Sequence, residues 1–240
     1  MADIRETLKK GLAFHQNGQL DDAQSCYRKA LKQDRNNVDA IHLLGVALLD
    51  SGKPEDAIPL IEKAAGLSPD RGSILINLGN AYSAADRLAD AARSYERAIK
   101  CDPKDLDAAQ RLSDVYGLLG QHEKAVEACR KAVSIDPSNG GNVIALGVAL
   151  KNAGQLAEAE ALYKDLLAAA PDYAEAKANL AVVLQKQKRT NEALDSYRDA
   201  ISQRPEFFRQ AMLNLSSTGK GKLWLNLGKA REILTQKNDS

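Results

Sequence analysis

The chain has 240 residues, 44 % hydrophobic and 27 % charged, with a formal net charge of +1. That apolar content can bury a sizeable core in one or two domains. A balance so near neutrality disfavours nucleic acid or an anionic membrane as the main partner, because both reward a basic excess.

The opening stretch, MADIRETLKKGLAFHQNG, has neither an apolar signal core nor a small-residue cleavage site. No window approaches the roughly 18 consecutive apolar residues of a membrane span. A soluble, cytoplasmic chain without direct membrane insertion is therefore expected. Cys26, Cys101 and Cys129 are odd in number and lack metal-ligand or CxxC spacing, which predicts reduced thiols packed on helices. Few β-branched runs and only seven prolines point to an all-α chain.

A 34-residue register runs through the sequence. Ala23, Ala57, Ala91, Ala125, Ala159 and Ala193 are evenly spaced by that interval. Twelve residues before them stand Gly11, Gly45, Gly79, Ser113, Gly147 and Ala181, all small, each but the first preceded by leucine. Four residues after them come Tyr27, Ile61, Tyr95, Cys129, Tyr163 and Tyr197. Twelve after them come Pro69, Pro103, Pro137, Pro171 and Pro205, with Arg35 breaking the series. Small residues let two antiparallel helices approach closely, and the leucine–glycine pair is expected to face the phased alanine across that seam. Gly18, Gly52, Gly120 and Gly154 stand where a first helix should end in a left-handed residue, and the prolines stop the second helices.

In chain order this predicts six helix–turn–helix repeats at 4–37, 38–71, 72–105, 106–139, 140–173 and 174–207. In each, the first helix fills about fourteen residues and the second runs from about the eighteenth to the thirty-first. Residues 208–240 depart from the pattern. They read as helices near 207–217 and 222–236, split by Gly219 and Gly221, that cap the array and turn Leu223, Trp224, Leu227 and Leu234 inward.

The small residue, leucine, alanine, aromatic and proline at these offsets resemble the tetratricopeptide repeat over residues 4–207. The frequent early tryptophan of that family is replaced by Thr7, Ile41, Leu75, Ala109, Val143 and Lys177. Repeats such as ILINLGNAYSAADRLADAARSYERAIKCDP are also similar to the array of O-linked N-acetylglucosamine transferases. The resemblance implies an all-α, right-handed superhelical solenoid with C-terminal capping helices. It also implies a concave channel lined by the first helix of every repeat.

Helical geometry then puts repeat positions two, five, six, nine, twelve and thirteen toward that hollow. Apolar side chains there have no seam to fill and mark a partner site. Amides there can pair with a peptide backbone of any sequence. The candidate partner-binding residues are Leu8, Leu12, Leu43, Val46, Ile76, Asn77, Asn80, Arg111, Asp114 and Asn179. Lys151, Asn152, Gln185 and Lys186 share the same columns. The asparagine ladder of the transferase array is matched only at Asn77 and Asn179. The carboxylate-holding pair of chaperone-binding domains would fall on Leu8 with Leu12, His42 with Val46 and Ile76 with Asn80, none of which reproduces it.

His15 and His42 near Asp39 do not make a catalytic or metal set and read as solvated polar residues; His122 reads as a surface residue. The TGKGK turn lacks the first glycine and the hydroxyl residue of a phosphate loop. The expected function is a non-catalytic scaffold, without metal or cofactor, that binds a protein or peptide segment in its groove. The alternatives are a substrate-recognition module of a glycosyltransferase or other enzyme on a longer or separate chain, and self-association through the solenoid ends.

Overall fold

The structure is a computed structural model that describes residues 3–216 and Leu234. Among the described residues there is no strand. The chain divides into two compact units, Met1–Gln121 and His122–Ser240. The first holds α1 (Ile4–Gln16), α2 (Leu20–Gln33), α3 (Val38–Asp50), α4 (Pro54–Leu67), α5 (Gly72–Ala84), α6 (Leu88–Cys101) and α7 (Leu106–Leu118). The second holds α8 (His122–Ile135), α9 (Gly140–Asn152), α10 (Leu156–Ala169), α11 (Ala174–Lys186), α12 (Thr190–Gln203) and α13 (Phe207–Ser216). Within each unit every helix packs on the next, and the first helices of neighbouring repeats also touch, as α3 does α5 and α9 does α11.

Local chemistry sets these lengths. Asp3, Asn37, Asp105 and Asn139 cap α1, α3, α7 and α9 by accepting a backbone N–H in the first turn. Each first helix that ends at Gly18, Gly52, Gly120 or Gly154 does so in the left-handed region, at φ 73°, 71°, 68° and 77°. Asp86 and Lys188 take the same conformation at the equivalent points of the third and sixth repeats, at φ 57° and 66°. α4, α6, α8, α10 and α12 all stop two residues before a proline.

The phased alanines are buried throughout. The small residue twelve positions earlier packs chiefly against the residue four after the phased alanine, a tyrosine in repeats one, three and five and Ile61 in repeat two, where a Cβ on Gly45 would also lie 3.4 Å from the Ala57 carbonyl of the expected seam. A methyl group built on Gly11 would come within 2.5 Å of the Tyr27 ring, and one on Gly79 or Gly147 would overlap the Tyr95 or Tyr163 ring. The four tyrosines Tyr27, Tyr95, Tyr163 and Tyr197 are fully buried, so each repeat that carries one is held by an aromatic ring lying on the first helix. Cys129 is buried and Cys26 half-buried, but Cys101, expected to pack on its helix, is exposed at the end of α6. All three are free.

α13 begins 33 residues after α11 and packs on both α11 and α12, as the first helix of a further repeat would. Leu234 is helical and buried, as expected. Leu223, Trp224, Leu227 and the TGKGK turn lie outside the described residues. Among the described residues, no helix is long and apolar enough to cross a membrane.

Candidate partner-binding face

In the first unit, α1, α3 and α5 lie side by side with a stagger of 35 residues. His15 Nε2 is 2.7 Å from Asp50 Oδ2, and His42 Nε2 is 2.9 Å from Asn77 Nδ2. Each of these three repeats is therefore read against the next with a shift of one residue. On this register Leu8 of α1 is set against Leu43 of α3. Leu8, Leu43, Val46 and Ile76 are half-buried and Leu12 is 38 % exposed, which leaves an aliphatic row along α1, α3 and α5.

The polar candidates in this unit are engaged with one another. The Tyr95 hydroxyl donates to Asn80 Oδ1 at 2.7 Å, Asn80 Nδ2 donates to Asn77 Oδ1 at 3.4 Å, and Asn77 Nδ2 donates to His42 Nε2. The relay runs in one direction and ends on a neutral imidazole that accepts. His42, expected to be solvated, is instead buried at 7 % exposure. Burial, reinforced by the nearby Arg71 charge and opposed by Asp39, lowers its pKa to about 4. Arg71 is held by Asp39 at 2.5 Å. His42 and Asp39 thus belong to separate pairings, and no group of three metal-ligating residues occurs among the described residues.

Arg111 is exposed, and its Nε donates to both Asp107 oxygens at 2.8 Å. Asp114, also exposed, has its carboxyl raised by loss of solvation despite the Arg111 charge. Nine of the ten candidates therefore lie on α1, α3, α5 and α7 of the first unit. Asn179 lies half-buried on α11 of the second.

The sequence reading missed three polar features. In the second unit, Tyr197 donates to Gln185 Oε1 at 3.3 Å and accepts from Asn214 Nδ2 at 3.0 Å, while Gln185 Nε2 donates to the Asn214 carbonyl at 2.6 Å. This ties α11, α12 and α13 together. In the first unit the Tyr82 and Tyr116 hydroxyls donate to Glu62 and Glu96 of the preceding repeat. The buried Tyr27 hydroxyl has no hydrogen-bond partner among the described residues. Leu12 stands where Asn80 serves Tyr95 two repeats later. Burial pushes the Tyr27 phenol up to about 12.

Tetratricopeptide repeat models match residues 8–71, 48–115, 118–182 and 153–214. No curated protein sequence matched the chain. Among solved structures, YrrB, described as a tetratricopeptide protein with an unusual peptide-binding site, is 22 % identical. It covers 80 % of this chain and 96 % of its own, with a TM-score of 0.66. A tetratricopeptide repeat protein from Parabacteroides merdae is 15 % identical over 97 % of this chain and 99 % of its own, also at 0.66. MamA is 24 % identical over 86 % and 94 %, at 0.55. At these identities the likeness shows the fold alone, an all-α helical repeat. With matching models across most of its length and a 34-residue register behind them, the chain belongs to the tetratricopeptide repeat family.

Proposed function

We propose that the chain is a non-catalytic scaffold that holds a segment of another polypeptide along its first-helix faces. The observation that carries this reading is the aliphatic row Leu8, Leu12, Leu43, Val46 and Ile76. Leu12 alone keeps 38 % of its surface open at a place where no seam needs it. Apolar side chains in an open row supply anchors for a helical or extended segment. Arg111 and Asp114 add charge at the far end of the row. Asn77 and Asn80 contribute by stiffening the wall, since their amides are already paired. YrrB, with its peptide-binding site, offers a precedent on a similar fold.

The test is site-specific photocrosslinking in native lysate. A benzoylphenylalanine at Leu12 should give discrete adducts that Val46→Glu abolishes, while the same probe at Lys29, exposed on α2, gives none. Identical adducts from both positions would sink this reading.

A further inference from the structure

The 35-residue stagger puts His15 of α1 against Asp50 of α3, a base matched to an acid. Lys151 of α9 and Lys186 of α11 are separated by the same 35 residues and occupy the same two columns of their repeats. α9 and α11 touch, and the Lys186 charge acts on Lys151. The second unit therefore sets two ammonium groups together where the first sets a complementary pair. Lys151 is half-buried and Lys186 exposed. Neither has a hydrogen bond or ion pair among the described residues. Burial and the like charge together hold the Lys151 ammonium below its ordinary value.

The surroundings say what such a pair accepts. The inward columns of α9 and α11 contain one carboxylate, Glu175, eleven residues from Lys186 on the same helix. At 1.5 Å per residue that is about 16 Å away, too far to neutralise either lysine. Two other cations of this unit, Lys164 and Arg189, both hold Glu160, at 2.7 Å. Val148 lies three residues before Lys151, and Val182 four before Lys186. Both valines are half-buried and one turn away on the same face.

We infer that Lys151 and Lys186 form a seat for the Asp or Glu side chain of an extended partner segment, whose neighbouring aliphatic residue rests on Val148 and Val182. This rests on the reading that a segment lies along the first-helix faces. It adds the chemistry of that segment: acidic, with an apolar residue beside the acid. A carboxylate between two ammonium groups removes their repulsion and forms two charge-assisted hydrogen bonds.

The probes are two fluorescein-tagged, C-terminally amidated dodecapeptides, one of repeated Glu-Val-Ser and one of repeated Gln-Val-Ser, titrated against the full chain by anisotropy. The Glu peptide should bind about tenfold or more tighter than the Gln peptide, which is the worth of one such hydrogen bond. The preference should shrink at high salt. Lys151→Gln with Lys186→Gln should erase it. Lys124→Gln with Lys131→Gln, which removes the same charge from α8, should leave it intact. Equal affinity of wild type for both peptides overturns the seat while the docking face stands. Failure of wild type to bind either peptide overturns both, and neither result depends on a variant folding.

Discussion

Tyr82, on the first helix of the third repeat, gives its hydroxyl hydrogen to the carboxylate of Glu62 on the second helix of the repeat before. Tyr116 and Glu96 do the same one repeat later. The other crossings of these two columns pair a base with a leucine: Arg28 with Leu48, Arg130 with Leu150, Lys164 with Leu184. Those leucines are buried. A leucine can bury itself without a partner, whereas a phenol at the same place needs an acceptor. Glutamate accompanies tyrosine for that reason. Burial first, and Glu62 second, push the Tyr82 phenol up to about 12.

The pairing makes a double-mutant cycle informative. Tyr82→Phe should cost about 1 kcal/mol, the usual worth of a hydrogen bond to a partly exposed charge. Tyr82→Leu combined with Glu62→Arg, which copies the other crossings, should cost less than the two single changes added together. Urea unfolding of the four proteins measures the coupling, and strict additivity would deny that the two columns read each other.

The aromatic seam predicts a cost for the smallest possible enlargement. Gly79→Ala drives a methyl into the Tyr95 ring and loosens its hydroxyl from Asn80. A loss of about 1–3 kcal/mol is expected, in the range of overpacked cores. Gly117→Ala, in α7 with nothing near its would-be methyl, should instead be neutral or stabilise by up to about 1 kcal/mol. Thermal melts of the two variants should move in opposite directions or differ by several degrees.

His42 makes stability depend on pH in a definite window. Its folded pKa, about 4, lies below its ordinary 6.5. The unfolded chain takes up the proton as pH falls through 6.5, and the folded chain declines it until about 4. Stability from this group is thus complete above 6.5, falls between 6.5 and 4, and falls no further below. The loss reaches about 3 kcal/mol, from the two and a half units between those values. Protonation also opposes the relay, because an imidazolium cannot accept from Asn77. His42→Gln keeps a hydrogen-bonding group there without titrating. Urea unfolding between pH 4 and 7 should show a flatter profile for the variant than for wild type.

Glu160 titrates in a different window. Hydrogen bonds from Lys164 and then Arg189 hold its carboxyl at about 2, against an ordinary 4.5. Its contribution is therefore present above 4.5 and lost as pH falls toward 2, meeting the His42 window only at that window's lower edge. Arg189→Met should raise the Glu160 midpoint toward 4.5 without reaching it, because Lys164 remains. Carbon-detected NMR titration of the side-chain carboxyl follows this directly, and an unmoved midpoint would assign the whole effect to Lys164.

Much of the fold was legible because each repeat states the same physical requirements again. Prolines, phased alanines and turn glycines mark helix ends and seams by what they forbid. Asp86 and Lys188 hid two of the turns, because a side chain can occupy the left-handed region at a cost of about 1–2 kcal/mol. The columns of the candidate face could be read from helical periodicity, and Leu8, Leu12, Leu43, Val46 and Ile76 are partly exposed on them. Periodicity within one helix does not give the stagger between two. That stagger decides that His42 meets Asn77, and the packing of α5 on α6 within one repeat decides that Asn80 meets the buried Tyr95 hydroxyl, so the two amides are joined to one another. The Gln185, Tyr197 and Asn214 cluster was hidden for a related reason, since α13 lies beyond the last recognisable repeat.

The tyrosine–glutamate and leucine–base crossings bear on how such a chain can gain or lose whole segments. Excising residues 38–71 would bring Arg28 to face Tyr82, a phenol stripped of its acceptor. Excising 72–105 would instead deliver Tyr116 to Glu62, the same chemistry as before. Successive 34-residue blocks are therefore not interchangeable, and genetic shortening is constrained by which flanks become adjacent.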